Sequence, residues 1–502
     1  MVTNRPGNGN GTATRPDILL LFSDQHARLA GCYGDPVVRT PNIDGLAAEG
    51  VTFDSAYCPS PICLPSRMSL LTGRMPHRQS CWNNTDILPS GTPTYAHALG
   101  AVGYDASLVG RLHSIGPDQQ RGFRKRLVGD HSTNWVGGRA HDLGLLRRAN
   151  DPWRESLTAS GPGRSAYEAH DEDVTDAAIA ELRAIGERRA QGDNTPFAMT
   201  VGWLLPHAPY VCSPDLYASY EGSVPPPRLG VPAREHPHFA WWRQDRGIAD
   251  APQHEVMRAR TAYYGLVTAL DTMIGKVLAA LDAAGLRENT CVIYTSDHGD
   301  HIGERGLWWK QSFFEEAVGV PLVFRWPGHM DGGARRSQIV NLTDLTATIV
   351  DLAGADPLHE GDGSSLEPLL QDGAYPWLDE TVSEYVSDGV AAWTGGRTVL
   401  SRMLRSGRYK YVFHHGQPDQ LFDLLHDADE TCDLANDPAF DALRQQLRAR
   451  LLADWSPNDV MRRVQQNAAD QSVLADWAIA VDPPEIIRWH MASADNRLDW
   501  VD

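Results

Sequence analysis

Cysteine is scarce in this chain. Seven residues, Cys32, Cys58, Cys63, Cys81, Cys212, Cys291 and Cys432, are spread over 502 positions. An odd number at so low a density does not make a disulfide framework and fits a reducing compartment. Positive charge is also short: 45 Lys and Arg stand against 64 Asp and Glu, a net charge of −19. Such a chain repels phosphate backbones and anionic lipid, so neither nucleic acid nor a bare membrane surface is an expected partner. An anionic small molecule is still allowed, provided its site is locally positive. No segment reads as transmembrane. The apolar run at 18–22 is too short for a signal-peptide core and has no small-residue cleavage site after it. The cytoplasm is therefore the expected location. There are no internal repeats.

What is present is ordinary globular composition, with 42% hydrophobic and 22% charged residues and length enough for two domains. Residues 1–15 are rich in Gly, Asn and Thr and read as a disordered tail. Continuous apolar runs at 17–22, 197–203, 290–295 and 321–326 have the pattern of strands buried on both faces. A helix is expected over 255–284, with Leu266, Leu270, Met273, Ile274, Val277, Leu278 and Leu281 on one face and Gly285 as its stop. Alternating strands and helices predict an α/β fold: a large mixed, mostly parallel sheet sandwiched by helices. A breaker-rich stretch near 354–376 reads as a junction. It divides a catalytic domain, 16–375, from a smaller C-terminal α+β domain, 376–455, with strands near 381–385 and 409–413 and a helix over 438–455. Residues 456–502 read as a tail whose tryptophans pack on the body or on a partner subunit. The loop 234–245, with Trp241 and Trp242, reads equally as a substrate lid or an anchored surface loop.

The polar residues suited to chemistry follow strand ends: Asp24 and Gln25 after the first run, His207 after 197–203, and Asp297 and His298 after 290–295. Ligands of open α/β sheets bind at the carboxyl ends of strands, so these residues are expected to converge. Asp24, Gln25, Asp297 and His298 form a candidate metal site whose oxygen donors suit Ca²⁺, with Mn²⁺ or Mg²⁺ as alternatives. Cys63 precedes a helix expected at 65–71, where free amides and Arg67 favour an anion. Two other readings stand beside this one. Cys63 is also read as a buried structural thiol, or as part of a zinc site with Cys58, His77 and Cys81.

Larger motifs sharpen this. The pentapeptide Cys63-Leu64-Pro65-Ser66-Arg67, followed by Thr72-Gly73-Arg74, resembles the oxidation signature of type I, formylglycine-dependent sulfatases of the alkaline phosphatase superfamily. The segment 296–310, from Ser296-Asp297-His298-Gly299 to Trp308-Trp309-Lys310, is similar to the second metal motif of the choline sulfatase and phosphonate monoester hydrolase branch. Asp24-Gln25, Asn84, Gly110-Arg111-Leu112-His113 and Pro206-His207-Ala208-Pro209 match further elements of that branch, and the likeness runs over residues 16–455.

The resemblance implies a sulfuric ester hydrolase acting on an alkyl or aryl sulfate. Cys63 would be converted to formylglycine by dedicated maturation machinery, and its hydrate would be both nucleophile and metal ligand. Arg67, Arg111 and Lys310 would stabilise sulfate charge, Asn84 would bind a sulfate oxygen, His207 would protonate the leaving group and His113 would accept a proton. A homo-oligomer is also implied. Phosphonate monoester or phosphodiester hydrolysis by the same site, and a non-catalytic metal- or anion-binding relative, remain as alternatives. There are three departures: Arg111 stands where Lys is usual, Asp388 where a longer acid is expected, and the tail after 456 has no clear match; the last two bear on a choline substrate. Trp82, Trp308, Trp309 and Asp388 are the candidate contacts for a cationic leaving group.

Overall fold

The computed structural model describes residues 15–150, 152–389 and 396–500. The expected N-terminal tail, except for Arg15, lies outside the described residues. Eight strands make the main sheet: β1 (Asp17–Asp24), β2 (Val51–Tyr57), β3 (Asp105–Gly110), β4 (Lys125–Leu127), β5 (Phe197–Pro206), β6 (Thr290–Ser296), β7 (Leu322–Arg325) and β8 (Ala334–Asn341). Their spatial order is β8-β2-β7-β6-β1-β5-β3-β4. All neighbours run parallel except β7, which is antiparallel to both β2 and β6.

Strand β1 shows why its sequence reads as an unbroken apolar run. Leu19 and Leu21 enter the core on one face of the sheet, while Ile18, Leu20 and Phe22 enter the core on the other. Both faces are covered, so every side chain is apolar despite the two-residue alternation. On one side lies the helix Gln253–Ala283, whose Leu266, Leu270, Ile274, Val277 and Leu281 are fully buried. By length and composition this helix is apolar enough to cross a membrane. In the fold that apolarity serves the core, at about 1.5–3 kcal/mol for each large side chain buried. The other face carries the helices Cys63–Thr72 and Leu342–Leu352.

The second, antiparallel sheet is formed by β9 (Glu380–Ser387), β10 (Val399–Ser406), β11 (Tyr409–His414) and β12 (Gln420–Asp423), in that order. The helix Asp441–Leu451 packs on it through Leu447 and Leu451.

Residues after 456 are more structured than a tail. They form the helix Pro457–Val481 and then return along the body, where Arg497–Leu498 pairs with Gly161–Arg164. The tail tryptophans find partners in this same chain. Trp477 meets Trp135 at 5.5 Å, Trp489 meets His170 at 5.3 Å, and the Arg258 guanidinium lies 4.2 Å over Trp500. The region holding Trp241 and Trp242 is a helix, Pro237–Asp245, with Trp242 buried against Trp309. The buried indole anchors it, as in the surface-loop reading rather than the lid.

Candidate active site

Strands β6, β1, β5 and β3 lie side by side, and their carboxyl ends carry Asp297, Asp24, His207 and Arg111. A register shift after Phe22 sets Asp24 opposite Pro206, and its carboxylate meets Arg111 and Arg67. Cys63 arrives from the opposite direction, as the first residue of the helix Cys63–Thr72, which starts two residues earlier than the sequence suggests. That helix start is buried and lacks a capping side chain on Ile62. Its amides need other acceptors. Asn84 Oδ1 accepts from the Leu64 N–H at 3.0 Å, and Pro65 has no N–H to satisfy. Ser66 Oγ donates to the Asp297 carbonyl at 2.6 Å, joining the helix to the end of β6.

Asp24, Cys63, Asp297 and His298 each offer one ligand atom, and these atoms lie within 4.8 Å of one another. His298 Nε2 is 3.2 Å from Cys63 Sγ. Its Nδ1 lies 3.0 Å from the Gly299 carbonyl and donates to it, which leaves the Nε2 lone pair facing the cluster. Burial, with Lys310 adding to it, lowers the His298 pKa to about 4 against the pull of Asp297, so the ring is neutral at pH 7. Burial alone would raise the Asp24 pKa, but Arg111 and Arg67 hold it well below the usual carboxylate range. Two carboxylates, a neutral imidazole and a nearby side-chain amide fit a hard divalent cation. The zinc alternative is not assembled. Cys81 Sγ donates to the Gln79 carbonyl, and His77 Nδ1 pairs with Glu384 at 2.6 Å.

Lys310 joins the groups. Its Nζ is 3.0 Å from Cys63 Sγ, 2.6 Å from Gln25 Oε1 and 3.1 Å from His207 Nε2. His207 Nδ1 donates to the Ala208 carbonyl at 2.6 Å, so Nε2 is the nitrogen presented to Lys310. Gln25, His113, Trp309 and Gln311 all have positive φ, between 58° and 65°. Non-glycine residues held there cost about 1 kcal/mol or more each, and such strain clusters at functional sites.

Arg67 requires a correction. The expected contact with sulfate is not available to it, because its guanidinium is fully buried and already committed. Nε pairs with Asp297 at 2.8 Å, and Nη2 reaches Asp24 and the Ser23 carbonyl, both at 3.2 Å. It positions the acids. Arg111 is also paired, to Asp24 and to Asp130 at 2.9 Å, yet it lines the cavity above Cys63. Arg111 Nη2 donates to His113 Nδ1 at 3.0 Å, which places the neutral ring's proton on Nε2. Burial and Arg111 hold the His113 pKa well below its ordinary value.

The cavity has a volume of about 210 Å³, and Cys63, Asn84, Arg111, His113, His207 and Lys310 line it. Trp82, Trp308, Trp309 and Asp388 do not. Trp308 packs on Tyr210 at 5.3 Å, and Trp82 lies under Arg463 at 5.2 Å. Sequence reasoning missed Asp130, His131 and Tyr167, which no motif flags. It also passed over Asp300, although this residue lies inside the quoted 296–310 segment. Asp300 accepts from Gln25 Nε2 and from the Tyr210 hydroxyl, both at 2.6 Å.

The sulfatase family model matches residues 16–355. The chain belongs to the sulfatase family. A model of the N-sulphoglucosamine sulphohydrolase C-terminal region matches residues 303–455. A choline-sulfatase of Rhizobium meliloti (strain 1021) is 31% identical over 441 residues, covering 85% of this chain and 84% of the relative. Arylsulfatase K of Canis lupus familiaris is 28% identical, covering 97% and 91%. The crystal structure of the phosphonate monoester hydrolase of Agrobacterium radiobacter superposes with a TM-score of 0.72 at 24% identity, covering 88% of this chain and 95% of that one, and shows the shared fold. This sulfatase is accordingly a hydrolase of the alkaline phosphatase superfamily.

Proposed function

We propose that this sulfatase cleaves a small alkyl or aryl sulfate monoester with residue 63 in its formylglycine form. The observation that carries the reading is the position of Cys63 Sγ, 3.2 Å from His298 Nε2 and 3.0 Å from Lys310 Nζ, with His207 on the far side of the lysine. The sulfur stands in for an oxygen of the hydrated aldehyde. Asp24, Gln25, Asp297 and His298, with residue 63, would hold one divalent cation, Ca²⁺ before Mn²⁺ or Mg²⁺. Bound there, the cation supplies charge neutralisation and makes the neighbouring hydroxyl more acidic.

The chain's own residues do the rest. One hydroxyl of residue 63 passes its proton to the Asp24 carboxylate, whose Oδ1 lies 3.6 Å from Cys63 Sγ, and its oxygen bonds to sulfur; the sulfur–oxygen bond to the leaving group breaks, and the leaving oxygen takes the Nε2 proton of a doubly protonated His207. Lys310 and Arg111 stabilise charge on the sulfate oxygens, and the Asn84 amide nitrogen serves as a further donor. With its proton on Nε2, His113 serves here as a hydrogen-bond donor to sulfate in place of the proton acceptor expected from sequence. The second hydroxyl then loses its proton toward His207, which Lys310 links to position 63. The carbon–oxygen double bond re-forms and sulfate departs. Arg67 keeps both carboxylates aligned throughout.

Conversion of Cys63 requires maturation machinery as a transient partner. A homo-oligomer is also part of this reading, supported by Val473 and Ile479 on the helix Pro457–Val481, exposed by 69% and 71%. The test is mass spectrometry of the tryptic peptide 40–67 alongside hydrolysis of 4-nitrophenyl sulfate and of an aryl phosphonate monoester. A loss of about 18 Da at residue 63 with sulfate release supports the proposal. The same mass change with preferential phosphonate cleavage moves the protein to the alternative ester. An unmodified thiol from a conversion-competent host, with neither ester turned over, ends the mechanism and favours the binding relative.

A further inference from the structure

A second cavity, of about 660 Å³, adjoins the one above Cys63. The two share His131, Ser132 and Asn150 in their walls, so a substrate whose sulfate sits at Cys63 has its leaving group directed along that common wall. The wall is built firmly. Asn150 Nδ2 donates to the Tyr167 hydroxyl at 3.1 Å, and that hydroxyl is 2.9 Å from His131 Nε2.

In a chain of net charge −19, the described lining of this outer chamber holds three guanidiniums, Arg147, Arg148 and Arg488, and one carboxylate, Asp142. Asp142 Oδ1 is occupied by the Gly144 N–H at 2.9 Å. Arg488 is fixed by the His131 carbonyl at 3.0 Å and Glu485 at 2.8 Å. Arg148 stacks over Trp153 at 4.1 Å and is 3.3 Å from Glu155. Arg147 is exposed and has no ion pair among the described residues. His141 also lines the chamber, with a buried Nε2 that has no hydrogen-bond partner. A buried polar atom left open on a cavity wall is a place for a ligand oxygen. Leu143 and Met491 add apolar surface for a carbon skeleton.

We infer that the leaving group of the substrate carries a second anionic group, a carboxylate or a further sulfate, held in this chamber by Arg147, Arg148 and Arg488. The inference rests on the sulfatase reading above and narrows it. A quaternary ammonium leaving group would meet the Arg147 guanidinium, which has no ion pair among the described residues, and Trp82, Trp308 and Trp309 do not line the chamber. The C-terminal segment contributes directly, since Arg488 and Met491 both come from beyond the helix Pro457–Val481.

The test compares kcat/KM for four esters: 4-nitrophenyl sulfate, 3-carboxy-4-nitrophenyl sulfate, 4-nitrocatechol bis-sulfate and choline sulfate. The carboxylated and bis-sulfated esters are expected to exceed the neutral one by about tenfold, chiefly through KM, with choline sulfate last. Arg147→Glu is expected to cut the ratio of anionic to neutral ester about tenfold, and Arg147→Lys to restore most of it. Arg148→Glu is the second reporter should the first variant fold poorly. The carboxylated and bis-sulfated arms tell the two anions apart. A preference for the neutral or choline ester, or a ratio unmoved in folded charge-reversal variants, overturns the inference and leaves the sulfatase reading intact. No turnover of any of the four esters overturns both.

Discussion

The Asp300 carboxylate accepts a hydrogen bond from the Gln25 side-chain amide at 2.6 Å, and this decides which end of that amide faces the site. Oxygen and nitrogen of an amide are nearly equal in shape, so only a neighbour of known polarity can choose between them. With Nε2 held by Asp300, Oε1 is turned to Lys310. Asp300→Asn removes the preference. Metal affinity is expected to fall about 10–100-fold, as for other residues that orient ligands from behind. Calcium titration of the variant, followed by calorimetry and by rescue of activity at high metal, checks this. Unchanged affinity would mean that Gln25 is no ligand.

Arg67 stands between two buried carboxylates, Asp24 and Asp297. Arg67→Ala leaves Asp297 without its paired guanidinium and Asp24 with Arg111 alone. A loss of about 3–5 kcal/mol is expected from urea unfolding, because uncompensated buried charge is costly. Arg67→Lys should recover only part of this, since one ammonium cannot reproduce the two-pronged contact. If Arg67→Ala were as stable as the parent, the carboxylates would be held by something else.

Divalent metal should act on stability as well as on turnover. A ligand that binds only the folded state at a hundred times its Kd adds about 2.7 kcal/mol. Chelation is therefore expected to lower the unfolding midpoint and abolish hydrolysis of 4-nitrophenyl sulfate together, and Ca²⁺ to restore both. Mn²⁺ and Mg²⁺ series rank the alternatives. A midpoint indifferent to chelator would argue against a cation at Asp24 and Asp297.

Glu168 offers a pH prediction away from the site. It is buried on the first turn of the helix Ala166–Ala190, and burial raises its pKa from 4.5 to about 7, against the opposing pull of Arg164. The folded state holds the proton more tightly than the unfolded one. Its contribution to stability is thus full below pH 4.5 and is lost as pH rises through about 7. The gap corresponds to about 3 kcal/mol at most. Glu168→Gln is expected to flatten that part of the pH–stability curve and to gain stability at pH 8 relative to pH 5. Parallel curves for the two proteins would refute it.

Much of this was legible in the sequence because the fold is built from strands buried on both faces. An unbroken apolar run such as that of β1 stands out, and the polar residue that ends it marks the site. The reading failed where that contrast is missing. Strand β8, Ala334–Asn341, carries Arg335, Arg336, Ser337 and Gln338 at the sheet edge and has no apolar run. The helix Pro457–Val481 buries only Val460, Val464 and Ala478, and it is held by contacts with distant segments, such as Gln471 Nε2 with Asp86 at 2.6 Å. Within the site, motif spacing pointed to residues that the structure does bring together, but not to what each one touches. Arg67 looked like an anion binder because it is a cation one turn into a helix. Only the packing shows that two acids already occupy it. Asp130 and His131 carried no signal, since their roles depend on Arg111 and Tyr167 arriving beside them.

The return of residues 488–491 to the site sets an order of events during synthesis. Arg488 and Met491 face a wall whose other members lie between 131 and 150. That contact spans most of the polypeptide, so its closure entropy is met only after both sheets can support it. A nascent chain can assemble the metal cluster and the cavity over Cys63 once β7 and β8 have tied β2 into the sheet, but the outer chamber stays open until residues 488–491 have followed. Core chemistry and substrate choice would then mature at separate times, and a product that stops before Arg488 would be expected to keep the first while losing the second.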